Sequence, residues 1–169
     1  MALLFCHGLE SGPIGRKSQA LRDAGYTVRA PDCRGLDLAE RVRAITAAIV
    51  DEPRPPVIVG SSFGGIAGLL AALVAADRGV LVPSLVLLAP ALHRPRTGAL
   101  DRPLAPPAPT LILHGRADAI IPIDVSRRFA AEHGARLVEV DDDHCLGRSL
   151  DRILELVAAA PGVDPVASP

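Results

Sequence analysis

Apolar residues fall along this chain in two alternating textures. Residues 2–6, 57–60, 84–89 and 110–113 are short, nearly unbroken apolar runs, each ended by a glycine, histidine or proline within a few positions. Between them the pattern becomes periodic. Leu38, Val42, Ile45 and Ile49 recur at spacings of 4, 3 and 4 on a charged background, which predicts an amphipathic helix over residues 36–50. Pro53, Pro55 and Pro56 stop it. The same reasoning predicts helices over residues 16–24, 63–77, 124–133 and 147–160. Asp124 is the expected N-cap of the fourth helix and Gly134 its stop. Residues 26–30 and 136–140 complete the strands, the latter with the partial alternation of an edge strand. Strands that alternate with helices predict βαβ units and a parallel sheet, and continuous apolar runs fit central strands buried on both faces. Residues 90–109 are proline-rich and show no periodicity.

The 169 residues suffice for one domain with a sizeable core, and no internal repeat or second domain is visible. We expect that domain to span residues 1–161, with 162–169 as a flexible tail. Hydrophobic residues make up 49% of the chain but aromatic residues only 2%, so the core must be aliphatic. A net charge of −1 leaves no electrostatic footprint for nucleic acid or an anionic membrane. Lys17 is the only lysine. The apolar start, residues 1–6, lacks a basic flank and is too short for a signal peptide, and no apolar run reaches the ~18 residues of a membrane span. Three cysteines at irregular spacing argue against a disulfide framework and for a reducing, cytoplasmic setting.

The chemistry collects where strands end. Right-handed crossovers bring the carboxyl-end loops to one face of a parallel sheet. The loop after the first strand reads His7-Gly8-Leu9, and that after the third reads Gly60-Ser61-Ser62-Phe63-Gly64. The fifth strand is followed by His114-Gly115-Arg116-Ala117-Asp118, and the sixth by Asp141-Asp142-Asp143-His144. A G-x-S-x-G sequence between a strand and a helix lifts its serine above the sheet edge on a sharp turn, where only small residues fit two positions to either side. A nucleophile, an acid and a histidine thus follow in the order Ser62, Asp118, His144.

In this order, and in the His-Gly loop, the H-G-x-x-D block and the final Asp143-His144 pair, the chain resembles the α/β-hydrolases from Leu3 to about Ala160. It is most similar to small, cap-poor bacterial esterases of the YqiA type. The resemblance implies a single-domain, three-layer α/β/α sandwich. Most members carry two further strands ahead of the His-Gly strand, so the expected sheet is a truncated one of six parallel strands in order 2-1-3-4-5-6. It also implies roles. Ser62 attacks an acyl carbon, His144 is the general base and acid, and Asp118 orients the imidazole. The backbone N–H groups of Leu9 and Phe63 form the oxyanion hole. The implied activity is a carboxylesterase acting on small acyl esters through an acyl-enzyme, without cofactor or metal. Thioesterase and peptidase activity use the same machinery, and a non-catalytic binding protein of the same fold is the rival from another class. Without a large cap, residues 90–109 are the one candidate for a partial lid, and the site is expected to be a shallow groove.

Each role has a rival on the chain. Asp101 follows the fourth strand, where some members of the superfamily keep their acid. Among the other histidines, His7 is expected to shape the oxyanion loop and His114 to anchor a turn. His133 is expected in solvent, and His93 either reaches the pocket or faces water. Asp141 to Asp143 read mainly as a solvated turn. Cys6, Cys33 and Cys145, with His7 and His144, could be imagined around a metal, but their spacing matches no C-x-x-C pattern, and small buried hydrophobes is the reading kept for the thiols. The sequence does not determine an oligomeric state.

Overall fold

Residue by residue, the apolar runs become the middle of a parallel sheet. In the computed structural model, which describes residues 2–164, β1 (Leu3–Cys6), β3 (Val57–Ser61), β4 (Leu85–Leu88) and β5 (Thr110–Gly115) are buried at every position. β2 (Val28–Arg29) and β6 (Arg136–Val140) are the edges, and they alone contain exposed positions. The sheet is parallel throughout, in the order β2-β1-β3-β4-β5-β6. Residues 165–169, most of the expected tail, lie outside the described residues.

Alternation across the pleat divides the core in two. Leu4, Cys6, Ile58, Leu85, Leu87 and Ile112 face one side, where they pack on α2 (Leu38–Val50), α3 (Phe63–Asp77) and α4 (Asp124–His133). Leu3, Phe5, Val57, Val59, Val86, Leu88, Leu111 and Leu113 face the other, under α1 (Arg16–Asp23) and α5 (Leu150–Ala158). These are the three layers. α3 carries Ile66, Leu69, Leu70 and Leu73 with five alanines and shows no polar face before Asp77. It follows that this helix is the buried centre of its layer, as an all-round apolar helix must be.

Several element ends differ from expectation, three of them for a clear local reason. β2 pairs only through Leu3↔Val28 and Leu4↔Arg29 before Pro31 removes the next donor. Asp124 is the first residue of α4, not its cap. The cap position is Ile123, which offers no side-chain bond, and Asp124 instead pairs with Arg127 one turn on. α5 starts at Leu150 and not near residue 147, because Leu146 has φ 54° and residues 146–149 form a turn tied to Asp142. α2 is capped by a reciprocal pair: Asp37 Oδ1 accepts from Glu40 N at 2.8 Å, and Asp37 N donates to Glu40 Oε2 at 2.9 Å. No helix among the described residues is long and apolar enough to cross a membrane.

Candidate active site

Ser62 sits at the junction of β3 and α3 with φ 54° and ψ −118°, a strained conformation for a residue with a side chain. The neighbours explain how it is held. Its N–H donates to Leu88 O at 2.9 Å, and its carbonyl accepts from Gly65 N at 2.9 Å and Ala91 N at 3.0 Å. A Cβ on Gly60 would lie 2.7 Å from Gly64 O, and one on Gly64 would lie 2.0 Å from Cys6 O. The two glycines of the motif are therefore set by backbone approaching backbone.

The serine, the histidine and the acid form one relay. Asp118 is an acceptor-only carboxylate, so the 2.7 Å contact between its Oδ2 and His144 Nδ1 fixes the proton on Nδ1. That leaves His144 Nε2 as an acceptor, and Ser62 Oγ donates to it at 2.9 Å. The Asp118 side chain is fully buried. Burial pushes its pKa up, but N–H donation from Ile121, His144 and Ile120 outweighs burial and holds it below the ordinary carboxylate value. Asp101, the rival acid, is exposed, and the His144 ring is fully occupied by Asp118 and Ser62.

The other histidines separate by role. His114 is buried with Nδ1 2.7 Å from Ser126 Oγ and Nε2 3.0 Å from both Asp118 Oδ2 and Ile121 O. With acceptors facing Nε2, the proton lies there and Ser126 donates to Nδ1. His114 is thus a second donor to the same carboxylate oxygen that His144 uses. His7 Nε2 accepts from Cys33 N at 2.9 Å, so Nδ1 carries the proton and donates to Gly8 O at 2.8 Å. Burial, opposed by the Gly8 bond and aided by Arg41, lowers the pKa of His7. His93 is exposed on the cleft wall. His133 is not freely solvated: it is half-buried, its ring 4.6 Å from that of Phe129. Asp142 likewise departs from the expected solvated turn. It is buried at 1% exposure and accepts from Arg148 N at 2.9 Å and Ser149 Oγ at 2.8 Å, anchoring the loop that carries His144. Cys6 and Cys33 are buried free thiols and Cys145 is an exposed one.

Two features escaped the sequence reading. Arg41 is 1% exposed, with Nη1 donating to His7 O at 3.0 Å and Gly8 O at 3.3 Å, and Nε donating to Leu36 O at 3.2 Å. Its guanidinium lies 5.2 Å from the centroid of the Phe63 ring. Position 41 falls on the apolar stripe of α2, three after Leu38 and four before Ile45, and that placement was the available signal. The second is the support of Asp118 by His114, whose partner Ser126 lies on α4, too remote in sequence to suggest the contact. Arg41 Nη1 and His7 Nδ1 together hold Gly8 O. Because the peptide is planar and trans, the Leu9 N–H points away from them.

Leu9, Phe63, Ser62 and His144 line one cleft of about 540 Å³. From residues 90–109 only Ala91, His93 and Arg94 reach it, while Leu104 is buried against the core and Arg102 pairs with Asp77 at the end of α3.

The sequence pattern of the Alpha/beta hydrolase family matches residues 3–166. The chain belongs to that family. No curated protein matches it. Among solved structures, this family member is similar to a protein of the alpha/beta hydrolase superfamily from Xanthomonas campestris pv. campestris, with 28% identity and TM-score 0.74, covering 92% of this chain and 94% of that one. A serine hydrolase without lid from Xanthomonas campestris aligns at 23% identity and TM-score 0.70, over 97% and 84% of the two chains. A monoacylglycerol lipase from Paleococcus ferrophilus aligns at 20% identity and TM-score 0.68, over 92% and 93%. The last two likenesses speak for the fold alone.

Proposed function

We propose that this family member is a serine hydrolase that cleaves carboxylic esters of small acyl groups through an acyl-enzyme. The observation that carries the reading is the relay of contacts from Ser62 Oγ to His144 Nε2 at 2.9 Å and from His144 Nδ1 to Asp118 Oδ2 at 2.7 Å. Ser62 attacks the acyl carbon as His144 takes its proton. The imidazolium is stabilised by Asp118 and then protonates the leaving group. Water, deprotonated by His144, attacks the acyl-Ser62 ester and frees the acid. The developing oxyanion is bound by the Phe63 N–H, one of the first N–H groups of α3 and without an intrahelical acceptor, and by the Leu9 N–H. Each such donor is typically worth ~3–4 kcal/mol. Three free cysteines suit work in a reducing compartment.

Labelling with a fluorescent fluorophosphonate tests the reading, since the probe needs an activated serine. Wild type is expected to label, and Ser62→Ala and His144→Ala to stay dark. A folded wild type that does not label would overturn the assignment.

A further inference from the structure

The charge around Ser62 is lopsided. Arg16, Lys17 and Arg94 line its cleft, with Glu10 the single acidic side chain among the lining residues. Lys17, the one lysine of the chain, is half-buried on the first turn of α1. Its ammonium has no hydrogen bond or ion pair with any described residue. The carboxylates that influence it most, those of Asp142 and Asp143, are already engaged. Asp142 accepts from Arg148 N and Ser149 Oγ, and Asp143 Oδ1 accepts from Cys145 N at 2.8 Å. Burial lowers the pKa of Lys17 and outweighs the opposing influence of Cys145, Asp142 and Asp143, as expected for an ammonium that has lost water and forms no direct ion pair with a described residue. Among the described residues no carboxylate pairs with Arg94 either, and its guanidinium lies 5.9 Å from the ring centroid of Phe63, the residue next to Ser62. Lysine side chains ordinarily extend into water. One half-buried on a cleft wall with no hydrogen bond or ion pair to a described residue has donors to spare, and an incoming anion would engage them.

We propose that the cleft selects acyl esters or thioesters that carry a carboxylate or phosphate, with Lys17 and Arg94 as the residues that bind the anionic group. This rests on the serine hydrolase reading and names its substrate class. The apolar lips of the cleft, Leu9 at 50% exposure and Ile120 at 68%, suit the methylenes between the charge and the scissile bond.

Two substrate pairs test the idea from either side of the bond. Mono-4-nitrophenyl adipate against 4-nitrophenyl methyl adipate compares a carboxylate with its neutral ester on the acyl side. Acetyl-coenzyme A against S-acetyl-N-acetylcysteamine compares phosphates with their absence on the leaving side. The expected result is that at least one anionic member exceeds its neutral counterpart about tenfold or more in kcat/KM. That ratio should fall toward one in Lys17→Gln and in Arg94→Gln, and recover in Lys17→Arg. Equal or better turnover of the neutral member in both pairs, or a ratio that survives both substitutions, would overturn the proposal while leaving the hydrolase reading standing. Fluorophosphonate labelling, run on every variant, reports the Ser62 centre independently of substrate charge. Failure of wild type to label and to turn over all four compounds would instead remove the parent reading.

Discussion

Replacing Asp118 by Asn sets two structural outcomes against each other. Oδ2 of Asp118 accepts from His144 Nδ1 at 2.7 Å and His114 Nε2 at 3.0 Å, and Oδ1 accepts from Ile120 N at 2.9 Å and Ile121 N at 2.8 Å. An amide offers one oxygen and one NH2, so one of these two pairs must meet a donor. If the NH2 faces the backbone, the Ile120 and Ile121 N–H groups both lose their acceptor; the exposed Ile120 N–H can turn to water, but the partly buried Ile121 N–H is orphaned at ~1–3 kcal/mol. If it faces the rings, His114 still has Ile121 O at 3.0 Å, and His144 escapes the clash by moving its proton to Nε2. The second arrangement costs less stability and is expected to win. It also removes the acceptor that Ser62 needs. The variant should therefore fold, with a Tm within several degrees of wild type, yet lose ~10⁴-fold in kcat, the loss seen when the same change leaves a triad histidine in the wrong tautomer. Hydrolysis of 4-nitrophenyl acetate and the rate of fluorophosphonate labelling are the assays. A variant that keeps a tenth or more of wild-type activity would show that the acid lies elsewhere, and Asp101→Asn would then be the next variant to measure.

Further predictions concern the frame around that relay. Gly64→Ala should not fold, or should lose several kcal/mol, because its Cβ would sit 2.0 Å from Cys6 O and 2.6 Å from His7 O; a thermal melt unchanged within a degree would refute the packing described. The lowered pKa of His7 means that the unfolded chain, titrating at about 6.5, takes up its proton first. The stability from His7 is then present above about pH 6.5 and lost as pH falls from there through the folded value. Calorimetric Tm between pH 7.5 and 5 should drop more steeply for wild type than for His7→Gln. Of the three thiols, Cys145 should react with Ellman's reagent at once, and Cys6 and Cys33 only on unfolding, since both are buried and burial raises the pKa of each. Three fast-reacting thiols in the native protein would contradict this.

The layered sheet was legible because burial on both faces leaves its strands few choices of residue. Val57-Ile58-Val59 and Leu85-Val86-Leu87-Leu88 could hardly be anything but interior. The order Ser62, Asp118, His144 was legible because one-way strands deliver successive loops to one edge. What was not legible depends on contacts between residues far apart in sequence. The partnership of Arg41 with the His7 and Gly8 carbonyls spans 34 and 33 positions; its place on the apolar stripe of α2 hints that it points inward, but nothing local names those carbonyls as its partners. The start of α5 was missed because the apolar pattern around Leu146 does not announce a positive φ. The role of Asp142 was missed because three successive aspartates look alike until one of them is buried.

The glycines at 60, 64 and 115 have a consequence for how this molecule can change. A Cβ on Gly115 would lie 2.3 Å from Asp142 O, so the loops bearing the acid and the histidine interlock by main chain, as those bearing Ser62 and His7 do. A cluster held together this way is nearly closed to point substitution at those glycines. Its rim is different. Gly12 and Gly15 meet only a flexible arginine or nothing at all, and Leu9, Ile14 and Ile120 stand half or more in solvent. If the proposed function holds, random mutagenesis should recover altered selectivity far more often than altered chemistry, since the Ser62 centre is fixed by backbone contacts and the cleft rim by replaceable side chains.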